Sequence, residues 1–107
     1  MANYLLAYHG GGMPQDPAQQ QKVMAAWGEW MGKVGADLVD GGNPVAQARM
    51  IAANGTVSSG GGANPVSGYS IVKADSLDKA VALAKGCPIL GEGGGSIEVC
   101  ETFAPPM

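Results

Sequence analysis

The sequence predicts an α+β domain of split βαβ, ferredoxin-like plan, with two helices on one face of a mostly antiparallel sheet. Three observations carry this. Residues 68–103 read as strand, short helix and strand; residues 2–9 read as a strand that is apolar on both faces; and an amphipathic helix starts at Asp16-Pro17. At 107 residues the chain is one domain, too short for two independent cores.

Strand one spans residues 2–9, with Tyr4, Leu6 and Tyr8 on one face and Leu5, Ala7 and His9 on the other. Side chains alternate across a strand, so both faces need cover. Helices on one side supply only one layer, and a second subunit is the economical source of the other. After a loop at 10–15, Asp16 is placed to cap the main helix, and Pro17 loses nothing at a first helical position whose amide is unpaired anyway. Gln19 completes a variant capping box. Val23, Trp27, Trp30, Met31 and Val34 share a face, each contributing roughly 1.5–3 kcal/mol when fully buried. Gly28 and Gly32 interrupt the helix at a cost of about 1 kcal/mol each; they mark either close approach of another element or surface positions that tolerate glycine. Gly35 ends the helix.

Residues 36–41 form a short connection or edge strand, and 42–44 a turn. Two strand pieces, 48–53 and 55–58, flank Asn54-Gly55, the strongest hairpin signal in the chain. A glycine-rich loop at 59–65 follows. Residues 69–74 are the next strand, and Asp75-Ser76 caps a helix whose Leu77, Ala80, Val81 and Ala84 repeat on one face. Gly86 and Pro88 stop it. A turn at 91–95 leads into strand 97–103, with Ile97, Val99 and Phe103 on one face, and 104–107 is a tail.

Glycine is the compositional outlier, with 18 residues against roughly 7% on average. Its runs at 10–12, 60–62 and 93–95 read as sharp bends or points of close backbone approach. None fits a nucleotide loop: the run at 91–96 lies between helix and strand, the reverse of the required order, and no Gly-Lys-Ser/Thr is present. A net charge of −3 leaves no basic stripe for nucleic acid. The first apolar stretch is too short for a leader or membrane span, and Cys87 and Cys100 form no CxxC, so the expectation is a cytoplasmic protein with reduced cysteines. No metal or cofactor is expected, because one histidine and scattered carboxylates give no ligand spacing.

His9, the only histidine, ends strand one beside three glycines. An imidazole exchanges protons near neutral pH and glycines leave room for a substrate, so His9 suits a general base; the bland reading is a hydrogen-bonded strand end. Asp37 and Asp40 lie near the helix end and within possible reach of a pocket. Arg49 is the only arginine; its rigid fork clamps carboxylates, or else it pairs with a surface acid. Glu98 faces away from Ile97 and Val99, on the side a partner would cover, and needs a counter-charge there; Arg49 and His9 are the candidates. Cys87 ends a helix, where the dipole raises a thiol pKa, so packing is its expected role, and Cys100 shares the Glu98 face. Trp27 and Trp30 read as core or subunit contact rather than a stacking platform.

Tyr4-Leu-Leu-Ala-Tyr8, Gly68-Tyr69, Ala74-Asp-Ser-Leu-Asp-Lys-Ala80, Cys87-Pro88 and Gly95-Ser-Ile-Glu-Val99 together resemble the YCII-related family, in particular its DGPF branch. The resemblance implies a ferredoxin-like domain that pairs into a dimeric α+β barrel, a homodimer closed through the open sheet face. In one branch a histidine–aspartate pair in a cleft is proposed as catalytic; here His9 and Asp37 are the catalytic candidates, with the acidic partner of His9 left open, and Arg49 and Glu98 are the substrate-binding candidates. The Asp-Gly-Pro-Phe stretch of that branch is replaced by Val57-Ser-Ser-Gly-Gly-Gly62, and Cys100 stands where an arginine usually follows Ile-Glu-Val.

Two functions follow as expectations. One is an enzyme acting on a small organic acid, with His9 as proton acceptor and Arg49 or a carboxylate orienting the substrate. The alternative is a noncatalytic dimeric module that binds a small metabolite or a partner protein through its glycine-rich rim.

Overall fold

The computed structural model describes residues 1–11, 15–60, 62, 64–91 and 94–106. The glycine runs at 10–12, 60–62 and 93–95, the loop at 10–15 and the turn at 91–95 therefore lie partly outside the described residues. The chain is α+β, with two helices, a four-stranded antiparallel sheet and a separate two-stranded hairpin. In chain order the elements are β1 (Ala2–His9), α1 (Pro17–Val34), β2 (Leu38–Asp40), β3 (Arg49–Ile51), β4 (Val57–Ser59), β5 (Val66–Ala74), α2 (Leu77–Ala84) and β6 (Ser96–Glu101). The main sheet has the order β2-β5-β1-β6, so β1 is central and β6 is an edge.

Both helix starts form as their residues dictate. The Asp16 side chain accepts from the Ala18 amide at 3.1 Å with Pro17 opening α1, and the Ser76 hydroxyl accepts from the Lys79 amide at 3.2 Å. Each bond satisfies one of the amides that a helix start leaves unpaired. The helices cover one face of the sheet. Tyr4, Leu6, Tyr8 and Val72 are buried there with Trp30, Val34, Ala80 and Ala84. Trp30 serves as core, not as a platform: it is 5% exposed and its Nε1 donates to the Leu83 carbonyl of α2 at 3.0 Å. Trp27 meets Tyr8 edge-on, with ring centroids 5.3 Å apart.

One polar chain crosses this core. The Tyr8 hydroxyl donates to Ser70 Oγ at 2.7 Å, and Ser70 Oγ donates to the Gly41 carbonyl at 2.8 Å. Burial without such partners would be costly, and this pairing lets a fully buried serine sit in the sheet. Gly42 follows at φ +74°, and a Cβ there would run into the Tyr69 carbonyl, so only glycine lets the chain pass β5 this closely.

Two expectations are corrected, and one left open is decided. Strand six ends at Glu101, leaving Phe103 outside it and 82% exposed. The pairing partner runs out: Thr102 bonds Asn3 at the very start of β1, and a period-2 pattern carries no information about where its neighbour ends. Strand β5 starts earlier than residue 69, at Val66. Gly28 and Gly32 have nothing within 4 Å of a built Cβ, so they are surface positions and no element approaches them.

The second face of the sheet follows from the register. Leu5 stands opposite Ile71 and Cys100, Ala7 opposite Tyr69 and Glu98, and His9 opposite Ser96. Directly paired residues share a face, and these face away from both helices. The molecule is only 18 Å thick in its shortest dimension, which matches one sheet with one helical layer about 10 Å from it.

Candidate functional site

His9 closes β1 at a register shift between Tyr8 and His9, where β5 carries an extra residue opposite them. A bulge of this kind re-aims side chains. Gly10 and Gly11 follow at φ +67° and +65° and turn the chain away at once. Gly95, leading into β6, passes so close that a Cβ would lie 3.1 Å from the His9 carbonyl and 2.5 Å from Ile89 Cγ1. Three segments thus fix the backbone of His9.

Its ring is held by two contacts. Nδ1 lies 3.0 Å from the Asn64 carbonyl oxygen, and Nε2 lies 3.7 Å from Glu98 Oε1. A carbonyl oxygen only accepts, so the hydrogen bond to Asn64 places the proton on Nδ1 of the neutral ring. The Nε2 lone pair is then left free on the open face. A carboxylate 3.7 Å away is too distant for a good hydrogen bond to a neutral ring. The Glu98 side chain is 70% exposed and that of His9 16%. Beside them, the Ser67 hydroxyl oxygen is buried without a hydrogen-bond partner among the described residues, on the β5 segment that bulges opposite His9.

Of the four residues singled out in the sequence, the fold brings together two, His9 and Glu98. Asp37 lies elsewhere. It sits just before β2, whose Leu38 pairs with Val72 and so with the Tyr4 end of β1. That puts Asp37 near the start of β1, while His9 is seven residues on from Ala2, roughly 23 Å along the strand. Asp37 instead lines a cleft of about 460 Å³ with Met1, Lys73, Asp75, Lys79 and Leu83. A second cleft, of about 290 Å³, lies between Trp30, Glu29, Lys33 and Gly86. His9 lines neither. Arg49 is on the detached hairpin, with its guanidinium donating to its own neighbour, the Ala48 carbonyl, at 2.9 Å. Asp40 accepts from the Gly42 amide at 2.8 Å and shapes the turn after β2.

Asn64 is the site residue that sequence reasoning does not find. It acts through its backbone carbonyl, which every residue type carries, so no side-chain signal marks it. The Ser67 hydroxyl also goes unfound, because its place depends on the bulge opposite His9.

Cys87 is 3% exposed and free, and burial pushes its thiol up, against nucleophilic use. Among the described residues no group of three or more His, Cys, Asp or Glu is placed to hold a metal, and no helix is long and apolar enough to cross a membrane. No family model matches the chain, and no curated protein matches it. The site combines an oriented imidazole with one free nitrogen, a carboxylate 3.7 Å from it, and an open sheet face beside them.

Proposed function

We propose that the chain is a YCII-related protein of ferredoxin-like plan whose open sheet faces pair into a dimeric α+β barrel, with His9 as general base for a small organic acid at the rim. The observation that carries this reading is the 3.0 Å contact between His9 Nδ1 and the Asn64 carbonyl oxygen. The Asn64 carbonyl holds the Nδ1 proton, Nε2 is the basic atom, and Glu98 offsets the charge that Nε2 gains when it accepts a proton. In this reading Glu98 supports the base, taking the part first expected of Asp37. A second copy supplies what a single sheet lacks, a wall opposite Leu5, Ala7 and Ile71 that excludes water from the reacting groups.

One observation favours the alternative, a noncatalytic dimeric module that binds a metabolite or partner protein. The same His9–Asn64 bond ties the loop after the hairpin to the sheet, which is a structural task in its own right. A single experiment separates the two. The chain has one histidine, so its ring protons give an isolated pair of NMR signals. Small organic acids are titrated in D₂O into the wild type and into His9→Gln, following the His9 signals and the exchange of substrate protons. The enzyme reading expects one acid class to shift the His9 signals and to exchange protons, with exchange lost in His9→Gln while the dimer persists. Shifts without exchange support the binding module, and equal exchange in both proteins removes His9 from any catalysis.

A further inference from the structure

We propose that the β3–β4 hairpin of each copy lies over the β6 margin of the other copy's open sheet face, so that Arg49 meets Glu98 of the second copy and completes the His9 site in trans. This rests on the reading that a second copy covers that face, and adds the contact and the residue that enters the site.

The argument starts from the hairpin. Its strands pair with each other and not with the main sheet, and an isolated two-stranded hairpin is marginal in water. It carries apolar side chains nonetheless: Met50, Ile51 and Val57 are 57%, 69% and 59% exposed. The register sorts them by face. Arg49 stands opposite Ser59, and Ile51 opposite Val57, so Arg49, Ile51 and Val57 share one face, with the cation about 7 Å from the apolar pair. Arg49 makes no ion pair among the described residues, and its only bond is to the adjacent carbonyl.

The open sheet face presents the matching pattern. Leu5, Ile71 and Cys100 form an apolar cross-strand group, and Glu98 stands two residues along β6 from Cys100, again about 7 Å away. The Glu98 carboxylate is 70% exposed, and His9 at 3.7 Å is its one ionic neighbour among the described residues. An apolar pair with a cation on the hairpin thus faces an apolar group with an anion on the sheet, at equal spacing. The sole arginine of the chain and the one carboxylate beside its sole histidine are complementary, yet the fold holds them apart within a copy. The hairpin also leaves the body at the His9 end: Val45 bonds Ser67 and Pro44 bridges Gly68 where it departs, and Asn64 bonds His9 where it returns. In a two-fold arrangement each surface meets the other twice.

Mixing two charge reversals tests this. Arg49→Glu and Glu98→Arg are each characterised by sedimentation equilibrium across a concentration series, alone and in equimolar mixture. Either variant alone places like charges across both contacts, and the dimer Kd is expected to rise about tenfold. In the mixed dimer both contacts pair opposite charges, and its Kd is expected to return to near the wild-type value. A mixture no tighter than its components overturns the proposal. A wild type that stays monomeric overturns the covered face and this contact together, whereas a wild-type dimer unaffected by either reversal overturns the contact alone. Should a reversal unfold the chain, the neutral pair Arg49→Gln and Glu98→Gln is read in a double-mutant cycle on dimerisation, where additive effects overturn the contact.

Discussion

Tyr8, hydrogen-bonded to Ser70, and Cys87 are ionisable groups buried in the core, and their ionisation sets a pH limit on the fold. Burial pushes the Tyr8 phenol well above its ordinary 10.0, the Ser70 hydrogen bond opposing it in part, and burial pushes the Cys87 thiol above 9.0. Tyr4, buried against the Glu101 carboxylate, moves the same way, burial acting first. A folded-state pKa raised above the unfolded value stabilises the fold fully below the unfolded value and loses that contribution as pH rises. The melting temperature is therefore expected to be insensitive to these groups up to about pH 8.5, and to fall from about pH 9 upward. Thermal melts from pH 7 to 11 measure this, and Tyr8→Phe is expected to flatten the part of the fall above about pH 10. A wild-type curve still level at pH 11 would show that these groups ionise in the fold as easily as in the unfolded chain. Sequence reading found the two faces of β1 because alternation is a property of neighbouring residues. It could not find the Tyr8–Ser70–Gly41 chain, whose members are joined only by the pairing of β1 with β5 and the passage of residue 41 beside them.

At the level of elements, the same division explains what was legible. Asp16-Pro17, Ser76 and Asn54-Gly55 each fix a start or a turn through local hydrogen bonds and φ preferences, and each forms where its residues indicate. Within one copy, Asp37 lies far from His9 for a topological reason. β2 runs antiparallel to β5, so the residue that opens it arrives at the far end of the sheet from His9, and nothing in the sequence of residues 35–40 specifies that direction. Helix α1 gives the sharpest prediction at this scale. Gly28 and Gly32 face open space at ordinary backbone angles, so alanine adds helix propensity with no clash. Each substitution is expected to stabilise the chain by about 1 kcal/mol, and the two to add. Chemical denaturation of the single and double variants checks it, and a loss of stability would mean that something packs on this face after all.

The whole molecule is less compact than its length allows. Its radius of gyration is 15.3 Å, against about 13 Å for a compact domain of this size. In the proposed dimer a second copy covers both the hairpin and the open sheet face, and that association is measurable. Leu5 lies at the middle of the open face between Ile71 and Cys100 and points away from both helices. Leu5→Glu is therefore expected to leave the monomer folded while raising the dimer Kd by at least about a hundredfold, because a carboxylate buried there loses its hydration. Sedimentation and circular dichroism together read the two effects. An unchanged association would place any interface elsewhere.

Because Arg49 is the only arginine in the chain and sits on the exposed hairpin, an arginine-specific protease has a single peptide bond to cut, the one that follows it. The rate of that one scission becomes a clock for how long the arm stands uncovered, slowing as protein concentration rises if assembly shields it and keeping constant time if it does not.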